Sequence, residues 1–336
     1  MDTLNALVAL LNYVVIPATS YGSQLALGAL GVTLIYGILR FSNFAHGDTM
    51  AFGTAIAILF TWWFQSMGIT AGPLPTALLA LPFAIIVTAA LLLLTDRAVY
   101  RFYRKKKAVP VILVIVSMGV MFIMNGLTRF TIGVQDRNFD DGRRFVINAL
   151  EFRKATGLHE GLALRTSSVI TVVTAVIVVA LLFWFLNRTR TGKSMRAFSD
   201  NEDLALLSGI NPERVVSVTW VIVAALAVIA GVLYGLDKSF SPFTYFQLLL
   251  PIFASAVVGG LGNPLGAIAG GFIIAFSEVG FTYAWRKVLG YLLPMSLMPH
   301  GLVQPLGTDY KYAVSFVILV IVLLFKPTGL FKGKSV

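Results

Sequence analysis

The chain has 336 residues, of which 57% are hydrophobic and 12% charged, and its formal net charge is +11. A water-soluble domain of this size needs a charged and mixed surface, which this composition cannot supply. Its apolar runs reach about 18 residues or more, the length at which a helix crosses a hydrocarbon core of about 30 Å. The sequence therefore predicts an all-α, polytopic transmembrane helical bundle, and it lacks the short alternating segments of a membrane β-barrel.

The excess positive charge has an explanation that does not involve nucleic acid. Basic residues are concentrated in short loops beside apolar runs, which is the pattern that orients membrane helices. The chain contains no cysteine, which excludes disulfides, thiolate metal sites and a cysteine nucleophile. The N-terminal residues carry no basic region and no small-residue cleavage site, so we expect no removable signal peptide.

In chain order, the first apolar run is the hardest to interpret. Residues 4–17 are short, and we expect Pro17 to end them. They are compatible with an interfacial helix, a re-entrant piece or the start of a bent first span. Clear spans follow at about 21–40, 49–68, 76–95, 109–130, 167–186, 215–236, 245–259, 265–285 and 310–325. The chain thus has about eight to nine membrane segments in a single membrane domain, residues 1–336, since residues 245–259 are short for a span.

Charge predicts the orientation of these spans. The strongest basic cluster, residues 97–107, follows the third span and is therefore predicted to be cytoplasmic. Counting from it, the N-terminus lies outside and the C-terminus inside. Residues 131–166 become an external segment, where acidic and basic residues nearly balance, and residues 188–214 become a cytoplasmic loop.

That cytoplasmic loop is the longest polar stretch with helical character between two spans. Basic residues occupy its start, acidic residues follow, and a short apolar piece ends at Gly209, before Pro212. We predict one short helix here, offered to a cytosolic partner. Residues 191–194 (TGKS) end like a phosphate-binding loop, but position 187 is Asn where that motif requires Gly, and no strand precedes it. Nucleotide binding by this chain is therefore excluded.

Polar residues inside apolar surroundings are the candidates for a transport path. Asn43, His46 and Asp48 lie between two spans, where they form either a loop at the membrane face with a helix cap, or polar groups at membrane depth. Arg40 is a possible partner for Asp48. Glu278 is a lone carboxylate in a span, compatible with an ion site, a helix–helix hydrogen bond or a position near the outer face.

Several glycines are predicted to let helices pack closely. Gly266 and Gly270 are four residues apart and share a helix face, after a sharp turn at Gly262. Gly231 and Gly235 repeat this spacing on the sixth span. The glycines near residue 260 do not form a dinucleotide-binding motif, because Leu265 stands where its third glycine is required.

Four stretches together resemble one family, the permease subunits of ATP-binding-cassette importers of the branched-chain amino acid type. They are residues 31–48 (GVTLIYGILRFSNFAHGD), 191–197 (TGKSMRA) with 206–215 (LLSGINPERV), 256–271 (AVVGGLGNPLGAIAGG) and 323–331 (LLFKPTGLF). They occur in the family's order and span nearly the whole chain. One departure is Leu204, which stands where the family often has the first of two alanines after an acidic residue.

The resemblance implies the surroundings of the protein. It implies a bacterial inner membrane location within the lipid bilayer, a second homologous permease subunit, two cytosolic ATP-binding subunits and a periplasmic substrate-binding protein. It implies that the cytoplasmic loop couples to an ATPase through Asp203, Leu204, Ala205, Leu207, Gly209, Ile210 and Arg214. The chain itself is then no enzyme, with no catalytic residue, metal or cofactor of its own, because ATP is bound by the partners.

Two other classes of function remain as alternatives. A secondary transporter for a small organic solute, driven by an ion gradient, requires paired intramembrane charges around broken helices. Only Glu278 and residues 43–48 offer such groups. A structural membrane subunit without a transport path is the third class. Uptake measured with and without an ATPase partner separates all three.

Overall fold

The computed structural model describes residues 1–139, 142–294, 301 and 303–331. The predicted polytopic helical bundle is confirmed. Its first helices are α1 Asp2–Leu10, α2 Ile16–Leu39, α3 His46–Ser66, α4 Ala77–Thr95, α5 Arg101–Lys105, α6 Pro110–Ile132 and α7 Ala149–Thr156. They are followed by α8 Thr166–Arg188, α9 Arg190–Asp200, α10 Glu202–Leu207, α11 Pro212–Asp237, α12 Pro242–Gly259, α13 Pro264–Thr282, α14 Arg286–Leu292 and α15 Lys311–Phe325. The short strands β1 Phe145–Ile147 and β2 Leu164–Arg165 pair antiparallel.

Eight helical stretches of the described residues are long and apolar enough to cross a membrane. They are Asp2–Leu39, Ala77–Lys105, Pro110–Ile132, Thr166–Arg188, Pro212–Asp237, Pro242–Gly259, Pro264–Thr282 and Thr308–Phe325. The helix α3 adds 21 residues, or about 31 Å at about 1.5 Å per residue. The observed number of membrane segments therefore matches the eight to nine predicted.

The first helical run differs from its prediction at Pro17. The helix does not end there but is continuous over 38 residues, Asp2–Leu39, which is about 57 Å at about 1.5 Å per residue. A π-helical turn, Leu11–Val15, precedes the proline, which then occupies the first turn of α2. The wider turn and the start of a new hydrogen-bond ladder accommodate the missing proline N–H. Residues 4–17 are thus the start of an overlong first helix.

The third span also runs further than predicted. The helix continues past Thr95 through a π-helical turn, Asp96–Tyr100, into α5. The basic cluster that was expected in a loop therefore begins on a helix, and the chain turns only at Lys107, which has φ +51°. We call the end of the bundle that carries this cluster and α9 the basic end, and the end that carries residues 131–166 the opposite end.

The helix α2 forms the centre of the bundle. Its described neighbours are α8, α11, α12 and α13, and 94% of its most apolar window is buried. By contrast, α6 and α8 have only 28% of their windows buried, and the last span only 17%. Helices that are apolar all round and little covered by other helices face lipid, so α6, α8 and α15 lie at the periphery of the bundle.

Glycines allow the backbones of α12 and α13 to touch. A Cβ at Gly266 would overlap the carbonyl of Gly259, and one at Gly270 would overlap the carbonyl of Ser255. On α11, a Cβ at Gly231 would lie 2.8 Å from the carbonyl oxygen of Met50 on α3. Small residues permit such contacts, which maximise dispersion between helices in a membrane.

The opposite end is covered by the external segment and α14. Glu160, whose side chain is 6% exposed, accepts a hydrogen bond from Tyr291 at 2.8 Å and pairs with Lys287 at 2.9 Å. Its backbone N–H donates to the Asn5 side chain on α1. These contacts fasten α1 to α14. Asp140 and Asp141 of the external segment lie outside the described residues.

Candidate functional site

The polar segment at the basic end contains two helices where one was predicted. The first, α9, begins at the Thr189 cap, whose hydroxyl accepts from the Gly192 N–H at 3.0 Å. A Cβ at Gly192 would lie 2.6 Å from the Leu186 Cα, so α9 turns back tightly against α8. Met195 and Phe198 are buried on the bundle side. An apolar stripe on a basic helix explains why α9 lies flat on the bundle rather than in solvent.

The second helix, α10, carries the residues that the resemblance assigned to coupling. Asn201 begins it by accepting from the Leu204 N–H at 3.0 Å. Gly209 ends it with φ +78°, a left-handed conformation that favours glycine. The Gly209 N–H and the Ile210 N–H donate to the carbonyls of Leu206 and Ala205 and complete the cap. Ala205 is buried in the bundle core, at 3% exposure, and Ile210 packs against the same core.

The surface of α10 is apolar although it lies outside the bundle. Leu207 is 84% exposed, Leu204 61% and Leu206 42%. Asp203, in the first turn, is also exposed and lies where the helix dipole favours a carboxylate. A cluster of exposed leucines on a short capped helix is typical of a protein-docking surface.

Polar contacts connect these two helices to the membrane spans. Arg40, at the end of α2, donates to the carbonyl of Ser199 on α9 at 2.6 Å. Arg101 pairs with Glu213 in the first turn of α11 at 3.1 Å. Arg214, beside it, is exposed. The first contact therefore ties α9 to α2, and the second ties α5 to the start of α11.

A buried polar network that the sequence did not reveal lies further inside the bundle than these contacts. Asp96 is 4% exposed and accepts two hydrogen bonds from Arg104 and one, at 2.8 Å, from the indole N–H of Trp220 on α11. Tyr100 stacks on Trp220 with ring centroids 5.2 Å apart. The Tyr100 hydroxyl donates to Asn43 at 3.2 Å. The sequence did contain one signal for this network. Asp96 stands eight positions before Arg104 on a helix that is apolar at its start and basic at its end.

Residues 41–45 return from the basic end into the bundle. The Phe44 N–H donates to Ser117 at 3.1 Å, about two turns into α6. The His46 ring packs against Gly31, where a Cβ would lie 3.0 Å from Nε2, about two turns before the end of α2. The helix α3 therefore begins inside the bundle, and no side chain caps it.

Asn43, His46 and Asp48 are accordingly buried, at 2%, 0% and 0% exposure. The interpretation of this stretch as a loop at the membrane face is wrong. Asp48 accepts from Asn125 on α6 at 2.7 Å, and it does not pair with Arg40. Burial is possible because other elements supply partners: Asn43 accepts from Tyr100, and Asp48 accepts from Asn125 on α6.

Glu278 lies far from these groups, near the opposite end. It is 2% exposed and accepts a hydrogen bond from Ser315 on α15. Tyr21 on α2 is its other polar neighbour. Of the three interpretations offered for it, the contacts match a hydrogen bond between helices.

In the described residues, no group of three or more His, Cys, Asp or Glu side chains is arranged to hold a metal ion. The features that stand out are a short helix with exposed leucines, a buried polar network beside Trp220 and a buried polar link between two spans.

Comparison with known proteins decides between the classes of function that the sequence left open. The family model described as "Branched-chain amino acid transport system / permease component" matches residues 15–323. The chain belongs to this family. Three of the four stretches quoted from the sequence lie within the matched residues, and the fourth begins at their end.

Individual members of the permease family show the same similarity. The high-affinity branched-chain amino acid transport system permease protein LivH of Escherichia coli (strain K12) is 31% identical over 94% of this chain and 93% of its own. BraD of Pseudomonas aeruginosa, with the same description, is 29% identical over 94% of each. A chain of PsaBC from Streptococcus pneumoniae in complex with Fab superposes at a TM-score of 0.46 with 12% identity, which is too distant to carry an argument.

Proposed function

We propose that this chain is a membrane-spanning permease subunit of an ATP-driven importer for branched-chain or chemically related amino acids. Its family membership and the names of its relatives support the substrate class. The observation that carries the coupling role is the exposed leucine surface of α10, with Leu207 at 84% exposure. Apolar side chains exposed at an aqueous end call for a protein partner.

The partners we propose are those of an ATP-binding-cassette importer. A second permease completes the translocation path, two cytosolic ATPases dock beneath, and a periplasmic binding protein delivers the substrate. The basic end then faces the cytoplasm, with the N-terminus outside and the C-terminus inside, because cytoplasmic loops of membrane proteins carry the excess of Lys and Arg. Lys332 and Lys334, which support that orientation in the sequence, lie outside the described residues.

In the mechanism, α10 fits a groove on an ATPase through Leu204 and Leu207, with Asp203 and Arg214 at its edge. Closure of the ATPases displaces α9 and α10. The displacement reaches α11 directly through Pro212, and it reaches the 41–45 link through Trp220 and Tyr100.

We propose that Asn43, His46 and Asp48 gate the path, because they are polar groups buried inside the bundle of spans. We assign Glu278 to the outer part of the same path through its contact with α15. Import is coupled to the ATPase cycle if the substrate binds one arrangement of the helices more tightly than the other.

The test uses Leu207→Asp, with Leu150→Asp as the matched control. Leu150 is also exposed, at 64%, but lies on α7 at the opposite end. Both changes leave the core intact. We expect Leu207→Asp to abolish co-purification of the ATPase and uptake of labelled leucine into vesicles, while Leu150→Asp retains both.

The same vesicles test the energy source. Uptake that requires ATP and survives collapse of ion gradients is expected. Asp203→Arg should behave like Leu207→Asp. Normal ATPase association and uptake in both variants would contradict the docking role of α10.

A further inference from the structure

The helical stretch that contains α4 and α5 is longer than a membrane core is thick. It runs over 29 residues, Ala77–Lys105, which is about 43 Å at about 1.5 Å per residue. About 20 residues are enough to cross a hydrocarbon core of about 30 Å. Counted from Ala77, the residues from Arg97 onward therefore lie beyond the core, in the layer of the lipid headgroups.

The exposed face of this stretch is apolar along the core and becomes cationic beyond it. Its exposed residues recur every three or four positions, and the π-helical turn Asp96–Tyr100 does not interrupt the series. The apolar members are Leu79, Phe83, Ile86, Ala90, Leu94, Ala98 and Phe102. Exposed cations stand at its end, at Arg97, Lys105 and Lys106. A lipid-facing surface thus continues directly into a cationic one.

The turn after α5 keeps these cations close to the membrane core. Lys107 reverses the chain with φ +51°, and only Ala108 separates it from Val109, which directly precedes α6. Val109 is 58% exposed and Val111 is 66% exposed, so the chain is apolar again at once. Residues 105–107 therefore cannot extend far from the headgroup layer.

Phe102 gives this surface the character of a membrane boundary. Its side chain is 52% exposed although basic residues surround it in the sequence. The Lys106 ammonium lies 4.3 Å from the centre of the Phe102 ring, which is a cation–π contact. An aromatic ring beside exposed lysines matches the boundary between acyl chains and headgroups, because the ring contacts the apolar side while the ammonium groups reach phosphates.

The cations near α5 fall into two groups. Two arginines are paired within the protein, Arg101 with Glu213 and Arg104 with Asp96. Four other cations form no ion pair within the part of the chain that the structure describes, namely Arg97, Lys105, Lys106 and Lys107. Like charges so close together repel one another, and an anionic ligand relieves that repulsion.

We propose that Arg97, Phe102 and residues 105–107, which we call the α5 patch, bind the headgroup of an anionic phospholipid. Its acyl chains lie along the exposed apolar face of α4, and its phosphate lies among the ammonium groups. Each lysine or arginine near a membrane surface favours anionic lipid by about fivefold in the binding constant. The inference uses only the placement of the helices across a bilayer, so it stands apart from the proposed transport.

A cytosolic protein is the other class of partner that a cationic surface can bind. Lipid is favoured here because the cations continue a lipid-facing surface and because the chain becomes apolar again two residues after Lys107. The surface proposed for the ATPase, by contrast, lies on α10, which does not continue a span.

Native mass spectrometry of the purified full chain tests the site. The chain is equilibrated in micelles with equal amounts of phosphatidylglycerol and phosphatidylcholine that have the same acyl chains. We expect the wild type to retain phosphatidylglycerol in large excess. The double variant Lys105→Gln/Lys106→Gln should lower the ratio of the two retained lipids about 25-fold, at about fivefold for each lysine. Phe102→Ala leaves the charge unchanged and should lower the ratio about threefold, because Lys106 loses the ring that positions it.

The matched control is Arg190→Gln/Lys193→Gln. It also removes two exposed positive charges from the basic end, but from α9. Its lipid ratio should equal that of the wild type. All the exchanged side chains are exposed, so every variant should keep the circular dichroism and the elution volume of the wild type. An equal fall in both double variants would indicate diffuse attraction without a site and overturn the proposal, and so would a wild type without preference.

Hydrogen exchange locates the lipid independently. Amide exchange of residues 97–109 should be slower in phosphatidylglycerol nanodiscs than in phosphatidylcholine nanodiscs, and the difference should vanish in Lys105→Gln/Lys106→Gln. Slowing that is confined to residues 188–200 overturns the proposal. Loss of ATPase co-purification in the same variant, with an unchanged lipid ratio, would assign the α5 patch to the ATPase and overturn it as well.

Discussion

The ion pair between Asp96 and Arg104 permits a sharp test of how the basic end is held together. Asp96 accepts hydrogen bonds from two guanidinium nitrogens and from the Trp220 indole, and its side chain is 5% exposed. The change is Asp96→Ala. It leaves a guanidinium that is 20% exposed without its carboxylate and an indole N–H without its acceptor.

The size of the effect follows from this burial. Removing one partner of a buried ion pair costs about 3–5 kcal/mol. Water still reaches part of Arg104, so we expect about 3 kcal/mol. The exposed pair nearby, Arg101 and Glu213, is 39% and 45% exposed, and Glu213→Gln should cost less than about 1 kcal/mol.

The assay is equilibrium unfolding of the purified protein in mixed detergent micelles, followed by circular dichroism. A double-mutant cycle with Arg104→Ala should show a coupling energy of about 2 kcal/mol or more. The two ion pairs lie at the same end of the bundle, so each serves as a control for the other. Equal losses for Asp96→Ala and Glu213→Gln, or a coupling energy near zero, would refute the reasoning from burial.

Three further predictions concern other parts of the bundle. Gly270→Val should lower stability by more than about 3 kcal/mol and abolish monodisperse protein in size-exclusion chromatography, because its side chain would overlap α12, whereas Gly280→Val has open space and should be tolerated. Asn125→Ala should cost about 1–3 kcal/mol or more in thermal unfolding, because the fully buried Asp48 loses its partner, and adding Asp48→Ala should recover part of the loss. Burial raises the pKa of Glu160, but bonds from a neighbouring lysine and tyrosine lower it more, so its net pKa lies below the usual value. The stabilisation that the ionised Glu160 contributes is therefore complete above about pH 4.3, and it is lost as the pH falls through the lowered pKa. Hydrogen exchange of α1 should rise over that pH range in the wild type and not in Glu160→Gln.

The segment at the basic end shows how far local sequence signals reach. Gly209 and Pro212 mark the end of α10 and the start of α11, because their backbone requirements are set locally. The division into α9 and α10 was not predicted. The basic start of the segment looks solvated in sequence, and its helix forms because Met195 and Phe198 find apolar surface on other helices.

The link between α2 and α3 shows the opposite case. Three polar residues in a row of turn-forming residues are typical of a surface loop, and Asn43, His46 and Asp48 are nevertheless buried. Asn43 accepts from Tyr100 and Asp48 accepts from Asn125, and both donors lie on helices more than fifty positions away. Depth in a membrane protein depends on where such distant partners lie, which hydropathy does not report.

The sequence by itself determined the class of this protein, its spans and the family resemblance, because apolar length and turn residues act within a short stretch of chain. It also predicted which glycines share a helix face. Only the tertiary structure decided which polar groups are buried together and that the first helical run continues past Pro17. Those features arise from contacts between residues distant in sequence, and their energies depend on burial that only the packed bundle creates.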